Sequence, residues 1–132
     1  MARYARKRVA ENVPTRILEY ADGKTEDISA LTISQAANGG DKMAADIVAE
    51  AAHFLGTGLA NLINVYNPDV IALGGGLTRM GAMLLDPAHA VARKRSFEPA
   101  YRAVRIVTAE LQKNSGVQGA AAYAFQQLSY SS

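Results

Sequence analysis

Bulky apolar residues recur at helical spacing through residues 41–66: Met43, Ile47, Phe54, Leu55, Leu59, Leu62, Ile63 and Tyr66. A second line, Ala45, Ala49, Ala52, Gly56 and Ala60, is small at every step. The pattern predicts a long helix, capped by Asp41 and covered on both sides, central rather than peripheral. Asn67-Pro68-Asp69 ends it. Val70-Ile71-Ala72-Leu73 follows without alternation, which predicts a strand buried on both faces, as in a parallel sheet. Gly74-Gly75-Gly76 comes next, then an apolar run over 77–85 that predicts a helix. Asp86-Pro87 interrupts that run, with Asp86 as a cap and Pro87 in the first turn of another helix reaching Lys94.

The flanking segments are read the same way. Residues 2–12 predict a helix ended by Pro14, with Arg3, Arg6 and Lys7 on its solvated side. Ala21-Asp22-Gly23-Lys24 marks a turn. Thr32 and Gln35 have the spacing of a capping box, opening a short helix that Gly39-Gly40 stops. Val104 to Val107 predicts a second strand, residues 111–116 a loop, and Val117 to Leu128 a final Ala-rich helix. A helix-bearing connection between the two strands implies parallel pairing through a right-handed crossover.

Composition narrows the function classes. The chain has 132 residues, 49% hydrophobic and 20% charged, enough for one small domain with a true core. It has no cysteine, which excludes a disulfide scaffold, a thiolate zinc site and a thiol nucleophile. Aromatic residues are 7% of the chain and tryptophan is absent, sparse for a single-strand nucleic-acid platform. The net charge is +2, with basic groups clustered near the N-terminus and at Arg93, Lys94, Arg95, Arg102 and Arg105. Solvated helix faces account for both clusters, so no nucleic-acid partner is expected. No apolar run approaches the ~20 residues of a membrane span, and the basic N-terminus has no apolar signal core. A cytoplasmic protein with no membrane partner is the expectation.

The chemistry concentrates at the strand–glycine junction. Three glycines at a strand's carboxyl end remove every Cβ and let a flat or anionic ligand approach the main chain. No Gly-Lys-Ser/Thr follows, so this is not a Walker loop, and the glycine spacing does not fit the dinucleotide fingerprint. The carboxylates rebuild no catalytic site. Asp69 precedes the strand at its far end, Asp86 reads as a cap, and Glu110 alone follows a strand's carboxyl end. His53 and His89 have no second ligand or nucleophile placed beside them, so neither is read as catalytic or metal-binding.

The stretch GTGLANLINVYNPDVIALGGGLTRMGAMLL, followed by VRIVTAELQKNSGVQGAAAYAF, resembles the C-terminal part of ROK-family proteins, which are bacterial sugar kinases such as glucokinases and sugar-responsive repressors. The resemblance covers residues 30–128, and residues 1–12 resemble the helix before it. It implies an α/β fold: part of an actin-like ATPase (ribonuclease H-like) lobe, mostly helical with two parallel strands. Residues 1–132 are then one incomplete domain. By resemblance, Gly74, Gly75 and Gly76 contact the adenine and ribose of ATP, and the loop Asn114-Ser115-Gly116 faces the same cleft through Asn114 and Gly116. The family more often has an acidic, glycine-containing stretch where this chain has Gln112-Lys113-Asn114.

The family's other signatures are absent from these residues: the D-x-G-x-T phosphate loop, the aspartate base, the sugar-binding residues and the G-H…C-x-C-G-x-x-G-C zinc segment. Phosphoryl transfer depends on positioning and charge stabilisation by such groups. The expectation is therefore a non-catalytic piece of a sugar kinase holding the adenosine side of its cleft. Magnesium and sugar belong to the complete kinase, and zinc to the segment this chain lacks. The partner is a homodimer mate or the remainder of the kinase. A sugar-sensing or dimerisation part of a repressor, and a non-catalytic interaction module, are the alternatives.

Overall fold

In the computed structural model the described residues are 1–109 and Tyr123. Helix α1 spans Ala2–Ala10, and two 3-10 turns follow at Ile17–Ala21 and Thr25–Asp27. Helices α2 (Ala30–Asn38) and α3 (Lys42–Tyr66) lead into β1 (Val70–Leu73). A 3-10 turn at Gly76–Met80, helix α4 (Ala82–Arg95) and helix α5 (Glu98–Ala103) connect it to β2 (Arg105–Thr108). The expected loop at 111–116, Glu110 and the final helix lie outside the described residues.

Helix α3 forms as its pattern predicts. The Asp41 carboxylate caps it by accepting from Ala44 N at 2.7 Å, and Asn67 closes it in the left-handed conformation, with φ +44°. Ile47, Val48, Leu59 and Ile63 are buried. Coverage is one-sided, however. Ala52, Gly56 and Ala60 are buried, Gly56 against α4, whereas Ala45, Ala49, Phe54, Leu62, Val65 and Tyr66 are exposed. Helix α4 packs so closely because small residues meet: a methyl on Gly56 would collide with the Ala88 carbonyl oxygen and lie 2.7 Å from Val91 Cβ. Asn64 locks the far end, donating to Arg95 O at 3.0 Å and accepting from Phe97 N at 2.8 Å.

Four expectations are corrected. The capping box belongs to Ser29 and Thr32, not Thr32 and Gln35: Thr32 N donates to the Ser29 hydroxyl and Ser29 N to the Thr32 hydroxyl at 2.9 Å. Helix α2 starts earlier because Ile28 and Ile33, on either side of that cap, are both buried in the core. Pro87 and Asp86 do not break the chain into two helices, and Asp86 caps nothing; α4 runs through them. Proline here removes one interior hydrogen bond, while Leu84, Ala88 and Ala92 on the same helix stay buried. The helix expected over 77–85 is a 3-10 turn, broken at Gly81 with φ +57°, before α4 begins. Helix α5, absent from the sequence reading, fills the gap before β2, whose bounds shift by one residue.

The two strands pair in parallel, with Val70 beside Arg105 and Leu73 beside Thr108. The pairing is as expected, but the burial is not. Both strands are half-exposed rather than covered on both faces, and Val70 and Val107 are 41% and 42% exposed. The core instead sits among α1, α2, α3 and the first half of α4, built on Ala5, Ile17, Ile28, Ile33, Ile47 and Leu84. Each fully buried isoleucine or leucine side chain there contributes about 1.5–3 kcal/mol. The glycine junction lies at the edge of that core.

Candidate functional site

β1 delivers the chain to Gly74 at its carboxyl end. The Leu73 carbonyl accepts from Ala109 N at 2.8 Å, so β2 runs alongside to this point. A Cβ on Gly74 would meet only the Ala109 Cβ, at 3.8 Å. Ala109, the residue after β2, therefore lies beside Gly74. Gly75 then turns the backbone with φ +94° and ψ 173°, a conformation that favours glycine. A Cβ on Gly75 or Gly76 would meet no described residue within 4 Å. Among the described residues, the three expected glycines thus form a bare main-chain surface.

The turn is held from below. Thr78 is buried, and its hydroxyl donates to Gly75 O at 2.8 Å, while Thr78 N reaches the same oxygen at 3.3 Å. Gly81 N closes the turn onto Thr78 O at 3.0 Å. Two hollows flank it. One, of about 120 Å³, runs beneath Gly74 between Leu73, Leu77 and Thr78, with Leu55 and Leu84 as its far wall. The other, about 50 Å³, separates Gly76, Arg79 and Met80 from Ala30, Leu31 and Ser34 of α2. The Leu31 side chain is 58% exposed there, an apolar surface beside the bare glycines. Among the described residues neither hollow is lined by a carboxylate, and Arg79 supplies the basic charge. Such an arrangement can bind a flat group against backbone and aliphatic walls.

The other sequence candidates lie apart from it. Asn114, Gly116 and Glu110 are outside the described residues. Asp69 is at the opposite end of β1, its carbonyl accepting from Arg105 N at 2.9 Å. His53 is exposed on α3 with its ring edge-on to Phe54, and His89 meets the Tyr101 hydroxyl on the far side of α4. Among the described residues no three His, Cys, Asp or Glu side chains gather as metal ligands. Sequence reasoning missed Thr78, Arg79 and the α2 wall. Thr78 was findable as a hydroxyl residue three positions after a turn glycine, but the approach of α2 has no local signal.

A second carboxylate is structural. Asp41 also accepts from Thr15 Oγ1 at 3.0 Å and from Arg16 N. Burial alone would raise its pKa. The Arg16 and Ala44 amides, the Thr15 hydroxyl and the Arg16 charge together outweigh that and hold the carboxyl below the usual aspartate value.

Comparison with known proteins gives this geometry a context. The sequence profile of the ROK family matches residues 7–127. The glucokinase of Streptomyces coelicolor is 34% identical over 125 residues, covering 92% of this chain and 39% of its own. A putative xylose repressor of Caldicellulosiruptor is 32% identical over 105 residues, covering 79% of this chain and 26% of its own. A ROK family glucokinase from Streptomyces griseus, solved in complex with glucose and AMPPNP, superposes with a TM-score of 0.74 at 34% identity. That match covers 95% of this chain and 41% of the other. The chain therefore spans between a quarter and two fifths of the length of these relatives.

Proposed function

This chain belongs to the ROK family and has part of its actin-like ATPase fold, and from that premise we propose that it is the nucleotide-binding portion of a glucokinase-like sugar kinase. It supplies the adenosine side of an ATP cleft and does not catalyse alone. The observation that carries the reading is the turn at Gly74, Gly75 and Gly76: a Cβ-free surface at a strand's carboxyl end, flanked by aliphatic hollows. The base would lie against Leu31 and Leu77, and the ribose and first phosphate against the glycine backbone. Asn114 and Gly116, which follow the strand beside the turn, are assigned to the same cleft. Magnesium and the sugar are assigned to the complete kinase, since among the described residues neither hollow carries a carboxylate to hold the metal or activate a hydroxyl.

Titration calorimetry with ADP and with ATP at millimolar concentration tests the reading. Binding that Gly75→Val abolishes is the expected result; equal heats from both chains would remove the site. A second reading has its own support, because the xylose repressor matches about as well as the glucokinases. There the same scaffold would serve sugar sensing or dimerisation in a regulator. Heat from xylose or glucose with none from ADP would favour that reading.

A further inference from the structure

Thr78 has no assigned part in nucleotide binding, yet its side chain determines which groups the glycine turn offers. Its hydroxyl donates to the Gly75 carbonyl at 2.8 Å, the shorter of two bonds to that oxygen, the other coming from Thr78 N at 3.3 Å. The carbonyl is thereby drawn toward the protein. No peptide bond in the described residues is cis, so the N–H that shares this peptide plane, on Gly76, points the opposite way. It finds no acceptor among the described residues, and none of them would lie within 4 Å of a Cβ built on Gly75 or Gly76. Gly75, at φ +94° with no Cβ, has no side chain to resist rotation of this peptide. A rotated peptide would put a carbonyl oxygen where a ligand approaches, and that oxygen would repel phosphate.

We infer that Thr78 is a positioning residue of the glycine turn: its hydroxyl holds the Gly75 carbonyl out of the cleft, so that the turn presents a backbone donor to nucleotide phosphate. The inference rests on the nucleotide reading above and adds a selectivity to it. Phosphate-bearing nucleotides gain from the orientation, whereas adenosine, with no anionic oxygen, gains little.

The test compares the full chain with Thr78→Val, which keeps shape and loses the hydroxyl, with Thr78→Ser, which keeps the hydroxyl, and with Thr78→Ala. ADP and adenosine are titrated by calorimetry. The Gly75 carbonyl and Gly76 amide shifts are read by NMR without ligand. Loss of one hydrogen bond that orients the donor should weaken ADP about five- to tenfold in the Val and Ala variants. Adenosine should change less, and Thr78→Ser should bind as the parent does. The two shifts should move in the Val and Ala variants but not in Thr78→Ser. If Thr78→Val does not fold, Thr78→Ala carries the comparison. Parent-like ADP affinity in the variants, equal loss of ADP and adenosine, or unmoved shifts would overturn the positioning role. A parent chain that binds no ADP would instead sink the nucleotide reading, and this inference with it.

Discussion

Gly56 of α3 lies against the Ala88 carbonyl of α4 so closely that no side chain fits between them. A methyl on Gly58, two residues on in the same helix, would meet no described residue within 4 Å. The two positions therefore respond oppositely to one added methyl. Gly56→Ala must push α4 away from Ala88 and Val91, and is expected to cost about 1–3 kcal/mol. Gly58→Ala only restricts the unfolded chain and favours helix, and is expected to stabilise by about 0.5–1 kcal/mol. Urea melts of the two variants against the parent check both signs.

Asp41 ties the start of α3 to Thr15 and Arg16, and its carboxyl pKa is lowered in the folded state. A group depressed on folding stabilises above its unfolded pKa, and that contribution fades as pH falls through the folded value. Asp41→Asn should therefore be less stable than the parent at neutral pH. The gap should begin to close as pH drops below about 4, the ordinary aspartate value, and continue closing at lower pH. At pH 7 the loss should be about 1–2 kcal/mol, because the amide keeps only one of the two oxygens that accept from Thr15, Arg16 and Ala44. Melts from pH 7 to pH 2 would show it, and a gap that widens in acid would contradict the assignment.

Gly75 and Gly76 separate backbone strain from steric blockage. Gly75→Ala forces a side chain into φ +94°, so it should lose stability as well as nucleotide binding. Gly76 has no such φ and has free space around it. Gly76→Val should thus melt close to the parent while losing ADP, because its branches occupy the ligand's approach. Parent-like ADP affinity in Gly76→Val would place the nucleotide elsewhere.

The pure chain with glucose, ATP and magnesium should form no glucose 6-phosphate above a blank in a coupled assay. The motivation is the absence of a phosphate loop and an aspartate base from these 132 residues. Reproducible turnover would show that the chemistry sits in groups assigned no role here.

Self-association is the expected behaviour in solution. Phe54 and Leu62 lie along α3 at 68% and 44% exposure, with Val65 and Tyr66 above 70% near its end. The described sheet has two strands, so each keeps one edge without a described neighbour. Sedimentation at micromolar concentration should show a species heavier than the monomer, and Phe54→Ser should shift it toward the monomer. A well-folded monomer in both samples would mean that these surfaces are compatible with water.

Helix α3, its cap at Asp41 and its stop at Asn67 were legible without coordinates. So were β1, the glycine turn at its carboxyl end and the parallel pairing. Each rests on local information: apolar spacing, a capping side chain, a residue tolerant of positive φ, or a connection too long for a hairpin. Other features depended on what lies across the fold. Pro87 stays inside α4 because Leu84, Ala88 and Ala92 are buried as one face. Ser29 replaces Thr32 as the cap because Ile28 and Ile33 both enter the core. The strands are half-exposed because the described helices leave much of the sheet uncovered, and no residue in a strand encodes which layer will cover it. Thr78 acquires its place beneath Gly75, and Leu31 its place beside Gly76, only when a 3-10 turn and α2 meet at the end of β1. Periodicity within a segment reports which side faces a neighbour. Which neighbour arrives, and how closely, depends on side-chain volumes contributed from distant parts of the chain.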